Sequence, residues 1–523
     1  MTNVTRRAAL SRSLAMATGA AAFLKARPTR AAEPVHFSAD PFKLGVACGD
    51  PTADGLVLWT RLAPNPLEPD GGLGDQVIEV QWMIAADPAF KTVVRTGTEL
   101  AHPGRGHAIH AEVMGLQPDR PYWYRFEAGG VRSPTGRGKT LPSPGAPKDR
   151  FKLAWASCQH FEQGYFTAYR DMVAWAPDLI LHLGDYVYES SYGPQVRRHP
   201  NRDPRTLSDY RVHHAVYKLD ADLQAAHAAA AWAFIWDDHE VANDYAALVP
   251  PNPADLADFP ARRAAGYQAW FEHLPLGRRS MVQGQEARIY QQLIVGDLVQ
   301  FLLLDTRQYR APRACVSPDP TKWRSGVRNC PEMAAPDRSI LGSDQEFWLN
   351  TSLTRSTTRW TTIVQPTLFS NSKSKTPDGE MGSHQDGWSG YPAARQKILD
   401  RLAARPNRDT VVIGGDMHAF MTADVKADFG KPDSPVVASE FVTTSVTSHS
   451  YNYDAWRPWL AEPINAHIKL MDDRVRGWAG AEITRQAWAV DFRSVSSVWT
   501  PNPTFSTHSR WAVEWGKAGV QAA

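Results

Sequence analysis

The stretch Leu183-Gly184-Asp185-Tyr186-Val187-Tyr188 puts a carboxylate on a glycine turn directly after an apolar run, with a phenol three residues on. A carboxylate so placed can bridge two cations, and a phenolate suits a hard, highly charged ion such as ferric iron. Taken alone, Gly-Asp reads equally as a helix N-cap. Asp416-Met417-His418 offers two ligand-type side chains at i and i+2, which face the same side if the backbone stays extended. Ordinary turn chemistry produces the same pair. Trp236-Asp237-Asp238-His239-Glu240 gathers three carboxylates and an imidazole behind an apolar run. Desolvated carboxylates that close repel one another, a conflict that either bound cations or a solvated loop removes. Cys158, in Ala156-Ser157-Cys158-Gln159, stays open between core thiol, nucleophile and thiolate ligand.

The elements that must bring these residues together can be read from the same chain. Apolar runs at Lys152–Ala156, Leu179–Leu183, Ala233–Trp236, Val299–Leu304, Thr361–Val364 and Thr410–Ile413 each end in chemically capable residues. Those ends carry Cys158, Asp185, Asp238, Asp305, Gln365 and Asp416. Runs of this kind alternating with helical stretches such as Ala221–Ala231 predict an α/β domain over 149–523. Sites in such domains gather beyond the carboxyl ends of strands, so residues distant in sequence can converge. Upstream, residues 37–143 read as short strands broken by Gly and Pro, including Gly55–Arg61 and Val77–Trp82. The corner Gly115-Leu116-Gln117-Pro118 before Tyr122-Trp123-Tyr124 resembles that of fibronectin type III and immunoglobulin-like sandwiches, where a Tyr hydroxyl ties the turn down. This all-β module has no cluster of His, Asp or Cys and reads as structural. The Pro-rich segment Leu141–Pro147 ends it. Pro250–Pro253 and Val490–Trp515 are candidates to line or cover the site.

The N-terminus reads as an export signal. Arg6-Arg7 precede a mildly apolar run, Ser13–Leu24, and small residues at Ala31-Ala32, which predicts a twin-arginine leader over 1–32. That expectation brings the twin-arginine translocation machinery as a partner and a periplasmic or secreted location. The 32 residues hold six Lys/Arg and no Asp/Glu, leaving 51 basic and 55 acidic residues and a net charge of −4. A slightly acidic chain gives no support to nucleic-acid binding, and no later run is long enough to span a bilayer. Cys315 and Cys330 flank 14 residues. In an oxidising compartment they are expected to pair, worth about 3 kcal/mol in chain entropy; the alternative is two free thiols. Cys48 reads as a small core residue.

Taken together, these motifs resemble the alkaline phosphatase D (PhoD-like) family, a branch of the calcineurin-type metallophosphoesterases. The resemblance rests on Ala156–Gln159, Leu181–Glu189, Trp236–Tyr245, Leu303–Arg310 and Gly414–His418, and extends to the N-terminal module and leader. It implies an α/β metallophosphoesterase domain of layered sheets flanked by helices, with one ferric ion and two calcium ions. Cys158, Asp185 and Tyr188 would be iron ligands, Asp185 bridging toward calcium. Asp238 stands where related enzymes use Asn, and Asp416 where they use His, both favouring calcium. His418 matches the last metal-ligand His, Gln365 loosely matches another, and Asn243 would be a further calcium ligand or phosphate contact. The implied reaction is attack on a phosphate ester by a metal-activated hydroxide or oxide, giving a phosphatase or phosphodiesterase. His239 would contact phosphate or protonate the leaving oxygen, and Arg307 would hold a phosphate oxygen or pair with a carboxylate. Rival readings are a phospholipase D-type diesterase on lipid headgroups, a Cys158-nucleophile hydrolase, and a non-catalytic extracellular binding module.

Overall fold

The computed structural model describes residues 35–201, 203–316, 326–376, 379–405, 410–450, 458–517 and 519–523; the expected leader, 1–32, lies outside them. Strands β1 (Val46–Gly49), β2 (Gly55–Arg61), β3 (Ile78–Ala85), β4 (Val93–Ala101), β5 (Ala108–Met114), β6 (Pro121–Ala128), β7 (Val131–Arg132) and β8 (Gly136–Lys139) form the N-terminal all-β part. They pair as β1-β2-β5 and as β4-β3-β6, with β7 and β8 both on β6. Period-two alternation buries Tyr122, Tyr124 and Phe126 from β6. The Tyr122 hydroxyl accepts the Gln117 N–H at 2.8 Å, so the expected corner bond is present. One feature was not expected. β1 pairs in parallel with a strand of the α/β part, Cys48 opposite Ala231 and Gly49 opposite Trp232. Strands β1, β2 and β5 therefore extend the first sheet of the α/β part, and Phe37–Ala523 packs as one unit.

Downstream, β9 (Arg150–Ala156), β10 (Leu179–Leu183) and β11 (Ala231–Ile235) run parallel, the last two buried throughout. Parallel strands covered on both faces need unbroken apolar runs, which is what these sequences supply. Helices α1 (Ala168–Trp175), α2 (Leu207–Lys218), α3 (Ala221–Ala229) and α4 (Phe259–His273) surround them. The α3 stretch ends two residues earlier than its alanines suggest, because Ala231 already pairs with Leu179 in the sheet. Sheet pairing overrides helix propensity there.

The second sheet has the order β12 (Gln291–Val295), β13 (Val299–Leu303), β15 (Trp360–Val364), β18 (Thr410–Gly414), β20 (Val436–Val442), β19 (Phe420–Lys426), β21 (Ile468–Asp472). A small separate sheet joins β14 (Val327–Arg328), β17 (Met381–His384) and β16 (Ser374–Lys375). Cys315 and Cys330 pair in the chain that leads into it, as expected. Helices α5 (Gly342–Arg355) and α6 (Pro392–Ala403) cover the outer face of the second sheet; Leu349, Leu353 and Ile398 share one apolar cluster with Ile363 and Val412. The chain then returns to the first sheet as β22 (Arg476–Thr484), β23 (Ala487–Val495), β24 (Phe505–Glu514) and β25 (Gln521–Ala522). Val490–Trp515 is thus sheet edge, and none of it lines the site. The two large sheets pack face to face, Phe151 against Phe301 at 6.2 Å and Phe492 against Phe420 at 4.5 Å. The result is helices, sheet, sheet, helices, with the parallel strands of both sheets ending toward one cavity.

Candidate metal and active site

Four of the expected ligand residues sit in left-handed backbone, a conformation that costs non-glycine residues energy. Cys158 has φ 59°, Asp185 56°, Asp416 61° and His418 50°. Strain of this kind persists only where the surroundings impose it, and it concentrates at functional sites. Gly184 shows how tightly the strand end is built. Its φ is +102°, and a Cβ there would come within 2.6 Å of the Asp237 backbone N. Only glycine lets the Asp185 turn lie against the Asp237 turn.

Three groups of ligand-type atoms lie within 4.8 Å of one another: Cys158 with Asp185 and His418; Asp185 with Asp238 and His239; Asp238 with Asp244 and Asp386. Asp185 belongs to the first two and Asp238 to the last two, so the groups form a chain. Tyr188 joins the first, its hydroxyl 2.8 Å from Asp185 Oδ2 and 3.2 Å from His418 Nε2. His418 Nδ1 lies 2.7 Å from the His449 carbonyl, which can only accept, so Nδ1 carries the proton and Nε2 keeps its lone pair. Asp185 Oδ1 and Asp238 Oδ1 are buried without a hydrogen-bond donor. Orphaned carboxylate oxygens beside thiol, phenol and imidazole fit bound cations.

Burial raises the Cys158 thiol, the Tyr188 phenol and the Asp185 carboxyl well above their usual ranges. Asp185 adds to the first two shifts. For Asp185 itself, His239 opposes the rise and the carboxylates of Asp238, Asp237 and Glu240 add to it. Asp416 is pushed up to about 7 by burial and then by Asp238. Cation binding favours the deprotonated form of each group and so works against these upward shifts.

A cavity of about 1190 Å³ opens over this chain of groups, lined by Asp185, Asp238, His239, Asn243, Asp416 and His418. Pro251 and Asn252 bring the Pro-rich loop to its wall, as one of the two cover candidates required. Cys158, 1% exposed, and Tyr188 lie behind the lining, which suits ligands better than an attacking thiol. Asp416 and His418 do not act as a same-face pair on extended backbone. The chain turns through left-handed conformations, sending His418 to Cys158 and Asp185 while Asp416 Oδ2 accepts the Thr367 hydroxyl at 2.7 Å. Gln365 is spent on its surroundings, its Oε1 taking the Thr367 N–H and the Trp388 indole N–H at 3.0 Å.

Of the two roles expected for Arg307, pairing with a carboxylate is the one seen, and that of a phosphate contact is corrected. Arg307 is fully buried and does not line the cavity. Its Nε bonds Asp237, its Nη1 lies 3.0 Å from Asp386 Oδ1, and its Nη2 lies 2.7 Å from Asp386 Oδ2 and 3.6 Å from Asp238 Oδ1. Three carboxylates surround the guanidinium and hold it away from the cavity, so Arg307 positions Asp237, Asp238 and Asp386. Asp305 is likewise internal, accepting the N–H groups of Arg307 and Gln308 and the Trp236 indole N–H.

Further polar residues emerge only in three dimensions. Glu240 accepts the N–H groups of Asp185, Tyr186 and Asp237 at 2.8–3.1 Å, pinning two strand ends together. Glu189 Oε2 accepts His239 Nδ1–H at 2.7 Å, and its Oε1 accepts the Asn243 N–H at 2.8 Å. Burial works against charge on His239, but Glu189, Asp185 and Asp238 outweigh it and hold the imidazolium well above its usual range. Both glutamates stand in motifs already singled out. Asp386 does not: Gln385-Asp386-Gly387 reads as a plain turn, and its partner Arg307 is 79 residues away.

A strand-end cluster of ligand side chains beneath a roomy cavity, on two packed sheets, defines a metal-dependent phosphoesterase site. A family model for PhoD-like phosphatases matches residues 153–492, and one for the N-terminal domain of the same phosphatases matches 28–142. Alkaline phosphatase D of Bacillus subtilis (strain 168) is 40% identical over 497 residues, covering 93% of this chain and 83% of that protein. A solved structure of PhoD superposes with a TM-score of 0.88 at 39% identity, over 94% of this chain and 93% of that one. The chain belongs to the PhoD-like phosphatase family and is a phosphoric ester hydrolase.

Proposed function

We propose that the chain is an exported phosphatase or phosphodiesterase working with ferric iron and calcium. Cys158, Asp185, Tyr188 and His418 would hold iron; Asp238, Asp416 and Asn243, with Asp185 shared, would hold calcium. The observation that carries this reading is Asp185, common to two ligand groups with one oxygen buried and unpaired. The first group mixes thiolate, phenolate and imidazole, the donor set of a transition metal; the next is dominated by carboxylates, which suit calcium. When bound, such cations acidify a water and neutralise phosphate charge. His239 lines the cavity with Nδ1 fixed by Glu189, so Nε2 is the atom left to give a proton to the leaving oxygen.

The leader reading gives export by the twin-arginine route to the periplasm or medium, with no nucleic-acid partner. The described residues contain no helix long and apolar enough to cross a membrane. Residues 37–143 form a fibronectin-III-like sandwich on this account, supported by strand pairing and the Tyr122 corner, and 149–523 the catalytic domain. The test is metal analysis of the exported protein, with rates on para-nitrophenyl phosphate and its bis-ester. Iron and calcium together with hydrolysis of either ester support the proposal; hydrolysis by protein containing neither metal contradicts it.

A further inference from the structure

The cavity is larger than a phosphate needs, and its lining includes cations that the hydrolytic chemistry leaves unused. Lys373 and Arg313 both line it. The root of Lys373 is fixed. Its N–H donates to Asn465 Oδ1 at 3.0 Å and its carbonyl accepts from Asn465 Nδ2 at 2.8 Å, Asn465 itself being fully buried. Among the described residues the Lys373 ammonium has no hydrogen bond and no ion pair. Glu462 also lines the cavity but not within ion-pair distance of it. Burial and then Arg395 lower the Lys373 pKa, as expected of a cation without a counter-charge. Arg313 is 6% exposed, its Nη1 is buried without a hydrogen-bond acceptor, and its nearest carboxylate, Asp244, is 3.7 Å away. Buried donors left unpaired are uncommon and mark places where a ligand completes the bonding. Leu368, Met417 and Trp459 supply an apolar surface on the same cavity.

We propose that Lys373 forms an anion-binding subsite beside the apolar patch of the cavity, which selects phosphate esters whose alcohol portion carries a second negative charge. The scissile phosphate sits at the ligand groups, with Arg313 beside them, the apolar body of the alcohol runs along Leu368, Met417 and Trp459, and its distal anion meets the Lys373 ammonium. This rests on the phosphoesterase reading and adds a substrate class to it.

The experiment compares two aryl phosphates with the intact, metal-loaded protein. Both carry a propionyl tether on the ring, ending in a free carboxylate in one and its methyl ester in the other. The wild-type protein should favour the carboxylate in kcat/KM by about tenfold, chiefly through KM. Lys373→Ala should collapse that ratio, Lys373→Arg should restore most of it, and raising salt should weaken it. Glu462→Gln, which removes a competing anion from the wall, should raise it. Equal rates on both substrates in the wild type, or an equal fall on both in Lys373→Ala, overturns the subsite. A wild-type protein that hydrolyses neither aryl phosphate nor bis-para-nitrophenyl phosphate overturns the phosphoesterase reading itself, so the two failures are distinguishable.

Discussion

Asp185 owes its place to the residues behind it. Glu240 grips its N–H, Gly184 lets the turn close against Asp237, and Tyr188 shares its Oδ2. Arg307 plays the corresponding part for Asp237, Asp238 and Asp386, and removing one partner of a buried charge network leaves the others uncompensated. Arg307→Met is therefore expected to lower unfolding free energy by about 3–5 kcal/mol in denaturant titration. A phosphate-binding arginine would instead leave stability unchanged and raise KM. His239→Asn should reduce kcat by about 10²–10⁴-fold without loss of bound metal by elemental analysis, because its proposed work is proton transfer. At this scale the sequence was informative where ligands stand at strand ends. Cys158, Asp185, Asp238 and His418 converge as their positions required. Arg307 stayed open between two roles because a guanidinium near phosphate chemistry and one among carboxylates look alike in sequence; only contacts such as that with Asp386 distinguish them.

At the scale of elements, the apolar runs translated almost directly into strands, since a strand buried on both faces leaves little ambiguity about its extent. Leu179–Leu183 and Gly55–Arg61 lie where the pattern puts them. The Ala-rich stretch before β11 was less legible, because alanine's helix preference yields to sheet pairing. The β1–β11 pairing could not be read at all: it joins segments over 180 residues apart and rests on two residue pairs. The corner at Tyr122 was legible and is testable. Tyr122→Phe removes the acceptor of the Gln117 N–H and should lower stability by about 1 kcal/mol, read by thermal or urea unfolding, with ester hydrolysis little changed at room temperature.

For the whole molecule, buried histidines couple the fold to pH. His110, stacked on Phe271 and bonded to the carbonyls of Phe271 and Leu274, is lowered to about 4 by burial, and His182 to about 3. Both are neutral when folded and take up a proton near pH 6.5 when unfolded. Their stabilisation is thus complete above about pH 6.5 and is lost as pH falls toward 4, on the order of 3 kcal/mol for His110 alone. Unfolding measured from pH 7 to pH 4.5 in excess chelator should show this decline, and His110→Gln should make it shallower, His182 supplying the remainder. A slope unchanged by that substitution would assign the acid sensitivity elsewhere.

The claim on which the rest depends is that cations held around Asp185 perform the hydrolysis. The most direct test measures metal content and phosphate-ester turnover on the same sample before and after exhaustive chelation, then after returning the metals. The account predicts that turnover falls with the metal content and returns with it. Full turnover in metal-free protein would contradict it.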